Sequence, residues 1–574
     1  MVKFEYRFWS REGVIINGRN MAEVNVPHEF TRQGNTDFSG VPNPVPDDRK
    51  LWNGWIPLPR IGAALHGLPS WIFGFASCQG CDGTLRMPQE TLKYRVKNSR
   101  VGVMLTASHN PEDDNGLKIV DPDGEMLEKT WEQYATNLIN ATDFEFPTVY
   151  RAFETQFVLE PETPVDHAAV YCAMDTRESG PYLLRAIRAG VALGDTEFQS
   201  FGQLTTPQLH YLVAKSNRTG SPSRNITPIS RRLSRNFVRA LVVLPNRGTT
   251  DAHLFLDCAA GIGAPKMREL MAHIPQNLLL VTLINETGRL NSKCGADFVK
   301  IERAVPVNSE VIPDGVRAAS FDGDADRLMY YYKKDGCCHI LDGDKIACLF
   351  AKFIGEHLRS ASLSKELTIG IVQTAYANGN SMKHIKDALG MPVVLVPTGV
   401  KHLHHEAKNY DIGVYFEANG HGTVIFSQKF HQKTQEVEQT PAVSRLRRFA
   451  SLINYAVGDA ITDLLAVEAL LRYYDWSIED WDKQLYNDAP SCQLKVPVND
   501  RSKFKTTADE TRLTEPSDLQ KAIDVLVEKN QSGRAFARPS GTENIVRVYA
   551  EGCSESNARE LADSIAKRIS SLGC

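Results

Sequence analysis

The sequence predicts a multi-domain α/β protein closed by a smaller α+β domain at its C-terminal end. From about residue 97, short β-rich runs such as "VGVML", "AAVYCAM" and "HLFLDCA" alternate with helical runs such as "GPYLLRAIRAGVAL" and "GAPKMRELMAHI". Strand, turn and helix in repetition is the pattern of largely parallel sheets. The tail from about residue 490 has a different rhythm: "CQLKVPV", then "EPSDLQKAIDVLVEKN", then "NIVRVYAEG", then "ESNARELADSIAKRI", two strands each followed by an amphipathic helix. The chain of 574 residues, 42% hydrophobic, has enough apolar material for several cores.

Bulk properties narrow the function classes. The formal net charge of −4 gives no global field that selects nucleic acid or a membrane surface. No apolar run approaches ~18 residues, and the opening "MVKFEYRFWSREG" has no apolar h-region. The 11 cysteines are scattered and odd in number, as in a reduced, cytoplasmic chain, and the lone "CQGC" (Cys78, Cys81) reads as a chance pair.

Taken in order, residues 1–80 are rich in Trp, Pro and Gly without a long helical period. Only "PQETLKYRVKNSR" (Pro88–Arg100) then separates the "GTLRM" trace from the strand "VGVML". So short a crossover predicts a partly uncovered sheet, a poorly stable chain and weak or absent activity. The strand runs into "TASHNPEDDNG", so Ser108 stands at the carboxyl end of a strand, where open α/β sheets bind ligands. Residues 215–250 contain no acid but carry Lys215 and seven arginines; without interleaved aromatics they read as a flexible solvated insertion. Residues 427–450 read as a helix and linker, followed by the strongly helical "AVGDAITDLLAVEALLRYY".

Four stretches carry chemistry. "FDGDADR" sets Asp322, Asp324 and Asp326 at alternate positions, so that three carboxylates converge and require a cation. Mg²⁺ takes such oxygens and leaves room for phosphate; an EF-hand is excluded, because its positions 6 and 12 would be Arg327 and Lys333 rather than Gly and Glu. "RPSGTEN" offers a guanidinium fork (Arg538), the hydroxyls of Ser540 and Thr542, and Gly541 for close approach, with Arg547 beyond. "YFEANGHG" ends the strand "DIGVY" with Glu417, Asn419 and Gly420, groups suited to sugar hydroxyls; His421 by itself reads as structural. His402, His404 and His405 in "TGVKHLHHEA" read as packing rather than metal ligands. Ser108 lacks a G-x-S-x-G elbow and a triad context. A serine beside an aspartate metal loop and a phosphate cradle suits phosphoryl transfer.

With "TASHNP", "DGDADR", "EANGHG" and "RPSGTE" in this order, the sequence resembles the α-D-phosphohexomutases over roughly 97–210 and 254–574. "TTPQLH", "CGADFVK" and "GDAITDLL" point within the family to a subgroup acting on N-acetylglucosamine phosphates. The resemblance implies three related α/β domains and a C-terminal lid around a central cleft. The expected divisions are an atypical segment at 1–81, a first domain at 82–203 that is incomplete, and a second at 204–315 with the 215–253 insertion. A third at 316–450 and a linker helix with the last domain at 451–574 follow.

It also implies an activity: N-acetylglucosamine 6-phosphate and 1-phosphate interconvert through phosphorylated Ser108 and a bisphosphate, feeding UDP-N-acetylglucosamine synthesis. A sugar bisphosphate would serve as the phosphorylating primer. Mg²⁺ would sit on Asp322, Asp324, Asp326 and the phosphoserine, with Arg327 steadying the phosphoserine. Glu417, Asn419 and Gly420 would hold the sugar, and Arg538, Ser540, Gly541, Thr542 and Arg547 the idle phosphate. Lys118 is the first candidate for proton handling or charge support and His109 the second. The family's opening Y-G-T-x-G-x-R survives only as "DGTLR", two residues short before Arg86, and Cys492 stands where the family usually has Arg. A phosphohexomutase of other sugar specificity, a binding protein without turnover, and a phosphatase in which water takes the phosphoryl group stay open at this point.

Overall fold

The computed structural model describes residues 100–127, 169–192, 197–220, 227–244, 252–541 and 543–572, with short pieces elsewhere. Cys78, Cys81, Arg86, most of the Pro88–Arg100 crossover and Thr542 lie outside the described residues.

Three sheets share one plan. In the first, Arg100–Leu105, Ala169–Met174 and Glu197–Gln203 run parallel, and Gly116–Val120 returns antiparallel beside Arg100–Leu105. In the second, Ala318–Phe321, His253–Asp257 and Leu280–Ile284 are parallel, with Leu328–Lys334 and then Cys337–Leu341 added antiparallel. In the third, Val393–Val396, Ile369–Thr374 and Ile412–Phe416 are parallel, with Gly422–Phe426 returning antiparallel. The sheets are therefore mixed rather than largely parallel. The reason is local: an antiparallel return needs only a short loop, whereas a parallel crossover needs a dozen residues or more. These returns carry the chemistry, since residues 106–115, 322–327 and 417–421 occupy the same place in the three sheets. The fourth sheet, Ser491–Pro497, Ile545–Glu551 and Arg534–Pro539, is wholly antiparallel.

Two expected divisions cut through packed units. Ala318–Phe321 and Leu328–Lys334 pair with the second sheet, so a boundary at 315/316 splits that sheet. Helix Thr206–Thr219 lies on the first sheet: a Cβ on Gly102 would come within 3.1 Å of Val213. The break at 203/204 thus separates a sheet from a helix that covers it. The expected uncovered sheet is not found either. All six residues of Arg100–Leu105 are buried. Helix Gly180–Val191 buries Leu183, Ala186 and Ile187 over this sheet, from a later part of the chain than the short crossover. Val2–Lys3 extends the sheet's outer edge by pairing with Leu117 and Gly116.

The basic segment is not a flexible insertion where it is described. Thr206–Thr219 and Thr227–Val243 are helices, and Ile229, Leu233, Phe237, Ala240 and Leu244 recur every three or four residues as core. Arg231, Arg235 and Arg239 face outward, while the Arg232 guanidinium lies 4.2 Å over the Tyr211 ring. Leu233→Ala is expected to cost about 2–5 kcal/mol in urea unfolding, the price of a core truncation. A change within the error of that measurement would mean the helix is not docked.

Candidate active site

The return at 106–115 is built around a serine in an unusual backbone conformation. Ser108 is 2% exposed with φ of +53°, the left-handed region, so the loop turns sharply here instead of continuing extended. Its N–H donates to Thr106 Oγ1 (2.9 Å), and its hydroxyl donates to Asp322 Oδ2 (2.8 Å). The first and second sheets thus present Ser108 and the acidic loop to each other.

In that acidic loop, one oxygen from each of Asp322, Asp324 and Asp326 lies within 4.8 Å of the others, and all three residues are buried. Backbone N–H groups of Asp326 and Arg327 donate to Asp322 Oδ1, at 3.1 Å each. Asp324 Oδ1 is buried without a hydrogen-bond partner. Three converging carboxylates, with Asp324 Oδ1 and Asp326 Oδ1 both lacking a hydrogen bond, fit a Mg²⁺ site. Burial, then repulsion from Asp326 and Asp324, pushes the Asp322 carboxyl well above the usual range. Burial pushes Asp326 the same way, but Lys118 and His421 outweigh it and hold Asp326 well below that range. Among the described residues no other His, Cys, Asp and Glu cluster has metal spacing, and His404 instead faces the Tyr415 hydroxyl at 3.0 Å.

Lys118 Nζ bridges Asp324 and Asp326 at 2.7 Å each. Burial disfavours its charge, but the two carboxylates prevail and raise its pKa. The ammonium is thereby held between two of the three acidic side chains. His109 does not simply point away along an extended strand, because the turn at Ser108 carries Nε2 to 3.5 Å from Asp297. Burial, then the Arg327 charge, lowers its pKa to about 4, and its Nδ1 has no hydrogen-bond partner. At neutral pH it is a neutral imidazole. Arg327 Nη1 donates to Asp297 Oδ1 at 2.5 Å, with Nε 3.9 Å from Asp322 Oδ2.

The third return is a tight hairpin turn. Asn419 Nδ2 donates to Glu417 Oε2 (3.2 Å), and the His421 N–H donates to Asn419 Oδ1 (3.0 Å). Gly420 has φ of +85°, and a Cβ there would stand 2.0 Å from the Leu328 carbonyl oxygen, so the sugar-type loop packs directly on the acidic hairpin. His421 is drawn into the same site, with Nδ1 3.4 Å from Asp326 Oδ1. A cavity beside Ser108 is lined by Lys118, Thr206, Asp326, Arg327 and His421, with an apolar wall that includes Leu117, Met126, Leu127 and Val457.

The fourth sheet carries the Arg538–Gly541 stretch. Arg538 Nε donates to the Tyr376 hydroxyl (3.1 Å) and lies 3.4 Å from Glu510 Oε2. Glu510 Oε2 also accepts from the Thr398 N–H (3.0 Å), and the Gly399 N–H donates to Glu417 Oε1 (3.2 Å). A polar chain therefore links Arg538 to the sugar-type loop. Ser540 is buried and accepts from the Glu543 N–H (3.4 Å), Gly541 is exposed, and Arg547 pairs with Glu543 at 3.7 Å. Arg501 Nη1 donates to the carbonyls of Ser540 (3.1 Å) and Glu543 (3.5 Å).

Sequence reasoning missed Asp297, His421 as a site residue, Glu510 and Arg501. Asp297 lay inside the quoted "CGADFVK" and His421 two residues after Asn419, so both had a signal by position. Glu510 and Arg501 stand in ordinary polar loops and had none.

Family models match four stretches. They are Phosphoglucomutase/phosphomannomutase, alpha/beta/alpha domain I, at 78–146, and Phosphoacetylglucosamine mutase AMG1, domain II, at 239–329. The others are domain III of the latter at 342–476 and Phosphoglucomutase/phosphomannomutase, C-terminal domain, at 494–568. The phosphoacetylglucosamine mutase of Sus scrofa is 44% identical over 488 residues, 83% of this chain and 89% of its own. The crystal structure of Aspergillus fumigatus N-acetylphosphoglucosamine mutase with GlcNAc-6P and magnesium is similar at TM-score 0.80 and 40% identity, covering 90% of this chain and 93% of that one. A serine-to-alanine variant of that enzyme with glucose 1,6-bisphosphate matches at TM-score 0.78 and 39% identity, covering 90% and 93%. With 44% identity to a relative over 83% of its length and family models matching its four regions, the chain belongs to the phosphoacetylglucosamine mutase family of α-D-phosphohexomutases.

Proposed function

We propose that the chain interconverts N-acetylglucosamine 6-phosphate and N-acetylglucosamine 1-phosphate, with Ser108 as the phosphoryl relay. The observation that carries this reading is the contact of Ser108 Oγ with Asp322, at 2.8 Å, inside a buried acidic loop. In the first half-reaction the sugar 1-hydroxyl oxygen bonds to the phosphorus of phosphorylated Ser108, and the bond from that phosphorus to Oγ breaks. The bisphosphate then turns over, and its 6-phosphoryl group passes to Oγ. A sugar bisphosphate serves as primer. In each half-reaction the proton of the attacking hydroxyl leaves.

Mg²⁺ on Asp322, Asp324, Asp326 and the phosphoserine would supply charge neutralisation. Lys118 lies at the same loop, and Arg327 lies beside the phosphoserine end, oriented by Asp297. Lys118 and His109 are the candidates for proton handling, and His421, 3.4 Å from Asp326, is a third neighbouring group. Glu417, Asn419 and Gly420 form the sugar loop, and Arg538, Ser540, Gly541, Thr542 and Arg547 the cradle for the idle phosphate. The product would feed UDP-N-acetylglucosamine synthesis. No described helix is long and apolar enough to cross a membrane, and the eight described cysteines are free, which supports a cytoplasmic site of action.

An assay of the purified chain with N-acetylglucosamine 6-phosphate, Mg²⁺ and a bisphosphate primer tests the reading. Formation of the 1-phosphate supports it; release of inorganic phosphate alone, or binding without either product, overturns it. Glu417→Ala and Asn419→Ala are expected to raise KM for the sugar phosphate by about tenfold, since one lost buried hydroxyl partner costs roughly 1–3 kcal/mol. Phosphorylation of Ser108 by the primer should fall less. A defect confined to phosphoserine formation would assign this loop elsewhere.

A further inference from the structure

The turn that carries Ser108 is held by its carbonyl oxygens. Two side chains, one from each of two sheets, converge on the same pair of acceptors, the carbonyls of Ser108 and Asn110. Arg177 Nη2 donates to both, at 3.3 and 2.8 Å, and Asn291 Nδ2 donates to both, at 2.9 Å each. Arg177 Nε also donates to the Asp114 carbonyl at 2.6 Å. Arg177 is 2% exposed and its charge is balanced by Asp175. Asp175 in turn accepts from Thr106 Oγ1 at 2.7 Å, the hydroxyl that receives the Ser108 N–H.

Arg177 follows the Ala169–Met174 strand of the first sheet, whereas Asn291 follows Leu280–Ile284 of the second and is fixed there through its own N–H to the Ala259 carbonyl (2.9 Å). The metal loop closes on the same point. A Cβ on Gly323 would stand 2.6 Å from the Ser108 carbonyl oxygen and 2.9 Å from Asn291 Nδ2, so only glycine leaves room for this contact.

We propose that Arg177 and Asn291 are positioning residues for phosphoryl transfer. They hold the backbone of Ser108 in its left-handed turn, so that Oγ stays aimed at the acidic loop through both half-reactions. The proposal rests on the reading of Ser108 as the relay. In-line phosphoryl transfer depends almost wholly on placement and charge, and a displacement of about 1 Å in a reacting group can cost 10²-fold in rate. Carbonyls turned out of a strand ladder need donors. Here the donors come from both sheets, so the clamp also sets the distance between the relay serine and the metal loop.

Asn291→Asp is the sharpest test, because it keeps shape but replaces the amide donor with an oxygen facing two carbonyl oxygens. Arg177→Lys keeps the charge but cannot span three carbonyls from a planar fork. The measurements are the rate of labelling of Ser108 by glucose 1,6-bisphosphate, kcat and KM of the mutase reaction, and thermal unfolding. Asn291→Asp is expected to slow labelling and kcat together by about 10–100-fold, with KM little changed. Arg177→Lys should fall in the same direction. If Asn291→Asp does not fold, Asn291→Ala removes the donor without adding charge and carries the same expectation. Wild-type labelling in a folded Asn291 variant, or a loss confined to KM, overturns the positioning role alone. No label on the wild-type serine overturns the relay reading and this proposal with it.

Discussion

Ser108→Ala is expected to abolish turnover, by about 10³-fold or more, and to leave no phosphate on the 106–111 loop by mass spectrometry. The substitution removes the one atom that would exchange the phosphoryl group. Among the described residues the nearby hydroxyls are engaged: Thr106 with Asp175 and the Ser108 N–H, and Thr206 with Asp324. The carbonyl clamp by Arg177 and Asn291 does not use the serine side chain, so the variant should fold and still bind sugar phosphate. Wild-type-like turnover by the alanine variant would sink the relay mechanism.

Asp324→Asn is expected to lower Mg²⁺ affinity and mutase rate together, each by about 100-fold, measured by calorimetry and by a Mg²⁺ titration of activity. Ligating carboxylates depend on charge as well as position, and even the groups supporting a metal ligand typically matter 10–100-fold. Asp324 Oδ2 already accepts from Lys118 and Thr206, leaving Oδ1 buried and unpartnered. An asparagine would set its amide N–H₂ group either against the Lys118 ammonium or at the cation position. Both orientations lose attraction, and the three side chains together carry one negative charge less. Removing the metal with EDTA should abolish wild-type activity. Activity unaffected by EDTA would show that the acidic loop serves another purpose.

Much of the site was legible because its residues are grouped in sequence. Ser108, the Asp322–Asp326 triplet, the Glu417–Asn419 pair and the Arg538–Gly541 stretch each lie within one return loop or strand end, and strand ends are where α/β sheets present ligands. The fold class followed from strand and helix periodicity for the same reason, since each element writes its period locally. The basic 215–253 segment reads as a solvated insertion from its charge, and charge does not report which face of a helix is buried. The apolar spacing of Ile229, Leu233 and Phe237 that docks its second helix was the stronger signal. The short adjoining crossover predicts an open first sheet, but helices later in the chain bury it, a contact that local sequence does not encode.

The sequence by itself determined which side chains are available, the order of the four chemical loops and the alternating architecture that carries them. Only the tertiary structure decided how they meet. Lys118 is drawn into the acidic loop because two aspartates, more than two hundred residues away, close on it at 2.7 Å. His109 becomes a neutral imidazole because burial and Arg327 disfavour its charge. Arg177 and Asn291 act on the same two carbonyls although 114 positions separate them in the chain. Burial and short-range electrostatics depend on distances in space, and residue spacing along the chain carries those distances only within a single strand, helix or turn.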